Sequence, residues 1–231
     1  ARGDGSGPLA NGTLGSVFGK LYDMEFSASG DKIFLVNGPS YLMQFSLSTP
    51  FDLKTASFDV FQDLDPNYGS LAFNRDGTKM FWLEQATNAT KVRTYDLGAP
   101  FDITSITLVH TLDLTGTELN THENSQVAND FNFNDTGSAA YILIAHSYDH
   151  SKASQAGREN SAIYQFSLEK NYDMSTATLV GKSLVSFDGA SGLPSGFEFG
   201  DGGMRLYITD IQAGNPGVDR VNMYSLECPY G

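Results

Sequence analysis

Four stretches of this chain repeat one pattern in the same order, and that recurrence restricts the fold more than any other feature. The first half of the pattern reads Met24-Glu25-Phe26-Ser27 with Asp31-Lys32-Ile33-Phe34, then Leu71-Ala72-Phe73-Asn74 with Thr78-Lys79-Met80-Phe81. It returns as Phe131-Asn132-Phe133-Asn134 with Ser138-Ala139-Ala140-Tyr141, and as Phe197-Glu198-Phe199-Gly200 with Met204-Arg205-Leu206-Tyr207. Each copy is an alternating apolar run, a turn with glycine at an equivalent place (Gly30, Gly77, Gly137, Gly203) and a second run. That is a β-hairpin signature. The second half pairs Phe45-Ser46-Leu47 with Pro50-Phe51-Asp52, Tyr95-Asp96-Leu97 with Pro100-Phe101-Asp102, and Phe166-Ser167-Leu168 with Tyr172-Asp173. A fourth copy begins at Met223-Tyr224-Ser225-Leu226. Each unit therefore offers strands A, B and C, with D beginning near Phe58, Leu108 and Leu179. Repeated units of four antiparallel strands predict an all-β, four-bladed β-propeller. Unrelated hairpins in a sandwich would not need the Pro-Phe-Asp element and the glycine turn (Asp-Gly-Thr-Lys in repeat two) to recur in order.

One domain is expected over residues 1–231, with an N-terminal segment (1–20) and repeats at about 21–67, 68–127, 128–194 and 195–231. Repeat four lacks a strand D. The β-prone stretch Asn11–Phe18 is expected to supply it and so close the ring without an open edge. The rival reading makes the sequence a piece of a longer array.

Connection lengths separate two faces. The strand A aromatic and the strand B aromatic are always eight residues apart (Phe26 to Phe34, Phe73 to Phe81, Phe133 to Tyr141, Phe199 to Tyr207). Strand C to strand D is always eleven (Leu47 to Phe58, Leu97 to Leu108, Leu168 to Leu179). Strand B to strand C instead runs 11, 14, 25 and 17 residues (Phe34 to Phe45, Phe81 to Tyr95, Tyr141 to Phe166, Tyr207 to Tyr224), and D to the next A runs 15, 25 and 20 (Phe58 to Phe73, Leu108 to Phe133, Leu179 to Phe199). In a meander the B–C and D–A connections share one end, so all length variation falls on one face. That face is the expected binding surface; mere tolerance of insertions is the bland alternative.

The copies resemble the tandem β-propeller repeats of marine bacterial and phage surface proteins. Ser70-Leu71-Ala72-Phe73-Asn74-Arg75-Asp76-Gly77-Thr78-Lys79-Met80-Phe81 and Phe45-Ser46-Leu47-Ser48-Thr49-Pro50-Phe51-Asp52-Leu53-Lys54-Thr55-Ala56 carry the likeness. It spans Leu21 to Gly231 and is weaker in repeats three and four, which depart in their turns and carry long inserts. More distantly, the Asp-Gly-Thr-Lys turn is similar to that of TolB-like and WD40-like propellers. The resemblance implies an extracellular, cell-surface or virion-associated module without a catalytic residue.

Composition narrows the function classes. A formal net charge of −13 from 27 acids and 14 bases opposes a nucleic acid partner or an anionic membrane. No apolar run approaches the ~18 residues of a membrane span, and no basic-then-apolar leader opens the sequence, so any signal peptide is expected to have been removed. The single cysteine, Cys228, excludes a disulfide within these 231 residues. It is read either as a junction toward another chain or further sequence, or as a packed small apolar side chain.

Candidate chemistry is sparse. Asp63, Asp65 and Asn67 place oxygen donors at alternate positions, as a weak Ca²⁺ loop would, but the glycine falls one place late and position 74 is Asn rather than Glu. A solvated loop between strands D and A is the favoured account of them. Asp130 on strand A is the counterpart of Asp23, and the two are read either as a channel-mouth pair or as ordinary strand-entry residues. His146 and His150, with Asp149 between, have metal-like spacing only if helical, and no helical pattern is present. Ser195 sits in turn-like composition rather than a nucleophile elbow, and Arg2-Gly3-Asp4 and three glycosylation sequons carry little weight. Tyr41, Tyr68, Trp82, His146, Tyr148 and His150 are the candidate ligand contacts. Trp82 has a second reading, in which it fills the space between blades. No catalytic set and no cofactor is expected. The sequence thus predicts a non-enzymatic extracellular binding or adhesion module for a protein or glycan, with self-association as a further partner mode. A virion or filament subunit is the first alternative and a carbohydrate-active enzyme the second.

Overall fold

A computed structural model describes residues 21–37, 41–64, 68–86, 89–114, 119, 126–146, 161–185, 192–212 and 220–230. Four antiparallel meanders form the four blades of a β-propeller. Blade 1 is β1 (Leu21–Phe26), β2 (Lys32–Asn37), β3 (Tyr41–Leu47) and β4 (Ala56–Asp63). Blade 2 is β5 (Tyr68–Phe73), β6 (Lys79–Ala86), β7 (Ala89–Leu97) and β8 (Ile106–Asp113). Blade 3 is β9 (Gln126–Phe133), β10 (Ala139–His146), β11 (Ala162–Leu168) and β12 (Ala177–Leu184). Blade 4 has three described strands, β13 (Gly192–Gly200), β14 (Arg205–Gln212) and β15 (Arg220–Ser225). Residues 11–18, expected to close the ring, lie outside the described residues. Among the described residues, no helix is long and apolar enough to cross a membrane.

Blades stack because both faces of the middle strands β2, β6 and β10 are apolar, as sheets covered on two sides require, whereas outer strands such as β4 alternate buried and exposed. Odd and even positions of one strand serve different neighbours. On β2, Phe34 and Val36 join Leu71, Met80 and Trp82 of blade 2, whereas Ile33 and Leu35 join Met43 and Phe45 on the opposite face. Phe81 and Leu83 of blade 2 meet Phe131, Phe133 and Ile142 of blade 3. Tyr141 and Leu143 of blade 3 meet Phe197 and Ile208 of blade 4. Trp82 is 1% exposed in this packing. Its ring therefore fills the space between blades 1 and 2, and the ligand-contact reading of Trp82 is corrected: a side chain sealed from solvent cannot touch a partner.

The end of the molecule that carries the A–B and C–D turns is built the same way in every blade. The backbone N–H of Phe51, Phe101, Tyr172 or Tyr230 donates to the carbonyl of Gly30, Gly77, Gly137 or Gly203, at 2.7–2.8 Å. Each of these aromatics sits at positive φ (53–60°), and each partner glycine at 70–84°. The ring lies flat on the glycine, where a Cβ would overlap its edge. Left-handed backbone costs an L-residue roughly 1–2 kcal/mol, and stacking of the ring offsets it. From its glycine the ring reaches the preceding blade: Phe101 lies against Phe34, Tyr172 against Phe81 and Tyr230 against Tyr141, at centroid distances of 6.4–6.5 Å. In blade 1, Phe51 meets Phe26 of its own blade at 5.3 Å and is 60% exposed. Tyr230 therefore holds the turn after strand C of blade 4, where Pro229-Tyr230 takes the place that Pro50-Phe51 and Pro100-Phe101 have in the repeat. Cys228 in the same turn is exposed, so its reading as a packed apolar side chain is corrected.

Candidate functional site

The innermost strands β1, β5, β9 and β13 bring four equivalent positions together at the ring centre: Asp23, Ser70, Asp130 and Gly196. Register places each beside the backbone of the next blade. Asp23 Oδ2 accepts from Leu71 N at 2.6 Å, Ser70 Oγ from Phe131 N at 3.2 Å, and Asp130 Oδ2 from Phe197 N at 2.7 Å. Three of the four steps around the ring are thus tied from side chain to the next main chain. Gly196 has no side chain to offer. Met24 N, the counterpart of those three amides, donates instead to Asp23 Oδ1 of its own strand at 2.7 Å. Ser70 Oγ also lies 2.9 Å from Asp23 Oδ2 and 2.8 Å from Asp130 Oδ1, so the acids of blades 1 and 3 meet on the serine of blade 2. Asp23 and Asp130 are therefore brought together, as the sequence allowed, and their contacts are mainly with backbone amides.

Two further acids share this centre. Glu25 lies two residues along β1 and Glu198 two along β13. Burial pushes Asp130 up to about 7, with the charge of Asp23 adding to it. Burial also raises Asp23, against the hydrogen bonds from Leu71, Met24 and Ser70. Glu25 is pushed up to about 8, first by burial and then by the charges of Asp23, Glu198 and Asp130. Glu198 is raised by burial, opposed by Asn132 Nδ2 donating at 2.6 Å, and much of its side chain still meets solvent. Desolvation disfavours charge, and like charges within a few ångströms disfavour it again. Sequence reasoning named Asp23 and Asp130 but missed Ser70, Glu25 and Glu198. The alternation of strand A, in which every second residue faces the centre, was the signal that would have found them. Among the described residues, no three metal-ligating side chains converge on one point.

The variable end holds four of the sequence-predicted contacts. Tyr41 opens β3, is 42% exposed and packs edge-on against Phe61 at 6.1 Å. Tyr68 opens β5, His146 closes β10 and Asp63 closes β4. All four positions fall at strand ends next to B–C or D–A connections, the face on which connection lengths vary. Tyr148, His150, Asp65 and Asn67 lie outside the described residues. The opposite, clasped end has a concavity of about 410 Å³ between blades 2 and 3, walled by Arg75, Asn132, Asn134 and Asp135 over the rings of Phe133 and Tyr172.

No protein-family model and no curated protein matches this chain. Solved structures do. A hydrazine synthase from Kuenenia stuttgartiensis aligns with a TM-score of 0.53 at 12% identity, over 91% of this chain and 47% of its own. A candidate 6-phosphogluconolactonase from Bacteroides fragilis aligns with a TM-score of 0.52 at 13% identity, over 90% and 56%. The Swd1 (Cps50) β-propeller domain of Myceliophteria thermophila follows with a TM-score of 0.49 at 15% identity, over 89% and 53%. The chain spans about half the length of these structures. At such identities the first two show a shared propeller fold and nothing about activity.

Proposed function

We propose that this chain is a non-enzymatic binding module that engages a protein or glycan through the end carrying its B–C and D–A connections, displayed outside the cell, on its surface or on a virion. The observation that carries this reading is the contrast between the two ends. Four aromatic-on-glycine clasps hold the A–B and C–D turns to one geometry, whereas the connections at the other end range from short to long. A rigid scaffold with one varied rim is the arrangement by which loops acquire specificity. Exposed Tyr41 brings an aromatic ring to that rim, and the strand ends at Tyr68 and His146 lie on it too.

The hydrogen bonding of Asp23 and Asp130 supports binding over hydrolysis at this pair. A glycosidase needs one carboxyl free to protonate and one free to attack or to activate water, whereas Asp23 and Asp130 each accept hydrogen bonds from two backbone amides. No cofactor is part of this reading. A virion or filament subunit is the rival and would self-associate in a defined geometry, which sedimentation distinguishes from a monomeric adhesin.

The test exchanges residues 147–160 for Gly38-Pro39-Ser40, the short B–C connection of blade 1, and compares both proteins on arrays of polysaccharides and extracellular proteins. Tm should shift by less than about 4 °C, equivalent to about 1 kcal/mol at this size, while array binding falls. Binding that survives the exchange but is lost in Arg75→Ala, in the concavity of the clasped end, would overturn the proposal.

A further inference from the structure

The Asp23–Ser70–Asp130 bridge has more acceptors than hydrogens. Ser70 Oγ owns one proton, yet it lies within hydrogen-bond distance of a carboxylate oxygen on each side. The serine proton fills one of those two lines. The other line would set a carboxylate lone pair against a hydroxyl lone pair unless the carboxyl itself carries a proton and donates it to the serine. Phe131 N already donates to Ser70 Oγ, so a further incoming hydrogen just completes the oxygen's acceptor capacity. The same two acids hold Leu71 N and Phe197 N, which links the bridge to blades 2 and 4.

We infer that the Asp23–Asp130 pair holds one proton in the folded ring, and that this proton makes the bridge a pH-sensitive inter-blade clasp that is tight in acid and weakened above neutrality. Every ionisable group beside the pair on the inner strands favours keeping it. Glu25 on β1 and Glu198 on β13 are acids, β5 presents Ser70, and β9 adds neutral Asn132. The described cations of the strands behind are engaged elsewhere. Lys32 on β2 donates to the Phe101 carbonyl; Lys79 and Glu84 on β6 pair with Asp96 and Arg93; Arg205 on β14 pairs with Asp201. His146 on β10, Asp210 on β14 and the tyrosines Tyr22, Tyr68, Tyr141 and Tyr207 complete the titratable groups of these strands. The raised position of Asp130, near 7, agrees with the hydrogen count.

The sign follows from linkage. A carboxyl whose folded pKa lies above its unfolded value stabilises the fold fully below the unfolded value, and the benefit disappears as pH rises through the folded one. Between about pH 4 and pH 7 the folding equilibrium constant should therefore fall up to about tenfold per pH unit for the one proton. The turn aspartates Asp31, Asp76, Asp102 and Asp173 are held low by their serine and threonine partners and act in the opposite sense, at lower pH.

The experiment measures Tm and urea midpoints of the full chain from pH 4.5 to 8.5 in wild type, Asp130→Asn and Glu25→Gln, with and without Ca²⁺. The amide introduced by Asp130→Asn keeps the protonated acid's pattern toward Ser70 and Phe197 N, donating to the first through its nitrogen and accepting from the second through its oxygen, while Phe131 N, which also donates to Asp130 Oδ1, is left with Ser70 Oγ as its acceptor. Wild type should lose stability as pH rises. Asp130→Asn should match it at pH 5, exceed it at pH 8 and flatten the profile below pH 7. Glu25→Gln should leave that lower part of the slope in place. The carboxyl carbon-13 shifts of Asp23 and Asp130 should report one shared protonation step in this range, a readout independent of folding yield. A flat or rising wild-type profile would overturn the inference. So would a slope abolished only by Glu25→Gln, or a large stabilisation by Ca²⁺ at pH 8, which would make the centre a cation site.

Discussion

Replacing Gly77 by alanine tests the aromatic-on-glycine clasp directly. Gly77 sits at φ +70°, and a Cβ there would overlap the Phe101 ring. Alanine in the left-handed region costs roughly 1–2 kcal/mol on its own. The ring must also lift off, and it is part of the seam between blades 1 and 2, 5.3 Å from Phe73 and 6.5 Å from Phe34. Truncating a fully buried phenylalanine costs about 3–5 kcal/mol, and Phe101 is half-buried, so its displacement adds about 2 kcal/mol. The total for Gly77→Ala is about 3–4 kcal/mol. Gly30→Ala in blade 1 has the same local geometry, but Phe51 is 60% exposed and rests on Phe26 alone among the described rings. Its cost should stay near the backbone value, about 1–2 kcal/mol. Urea unfolding with unchanged m-values reads both. The double variant Gly77→Ala/Phe101→Ala should be less destabilised than the sum of its parts by about 1 kcal/mol or more, because removing the ring removes the clash. Equal losses at Gly30 and Gly77, or strict additivity in the double variant, would refute the reasoning.

Two further outcomes follow from burial. Trp82→Ala should destabilise the fold by about 3–5 kcal/mol without altering array binding, since the ring is sealed between blades 1 and 2; a binding defect at normal stability would contradict this. Cys228 is exposed, so a maleimide should label it stoichiometrically in the native protein; labelling only after denaturation would place it elsewhere.

Much of the fold was legible because the features that repeat are the ones that make the blades. The strand A and strand B aromatics fall at a fixed spacing since the strand B ring of one blade meets the strand A ring of the next (Phe34 with Phe73, Phe81 with Phe133, Tyr141 with Phe199), and the turn glycine recurs since an aromatic ring covers it. The recurrence of Pro-Phe-Asp was visible, but its cause was not: that Phe51, Phe101 and Tyr172 adopt positive φ to lie on a glycine some twenty to thirty-five residues back is a tertiary fact. Trp82 was ambiguous for a related reason, because both faces of a blade are covered and alternation no longer marks an outside. The central bridge was half legible. Equivalent repeat positions pointed to Asp23 and Asp130, but Ser70 lies 47 and 60 residues from them, and only ring closure makes one hydroxyl serve both.

The glycine at position 196 gives the ring an asymmetry in time as well as in space. Among the described residues, blades 2 and 3 are stitched to a neighbour on both flanks, whereas Gly196 leaves the inner-strand step from blade 4 to blade 1 without this stitch for want of a side chain. Local opening proceeds where the least is broken, so the inner strands should part first at that step, like a split washer with blades 2 and 3 as its spine. The joint is not easily repaired by mutation. A Cβ at Gly196 would stand 3.2 Å from Asp130 Oδ2, the oxygen that holds Phe197 N, so a fourth stitch would crowd the third.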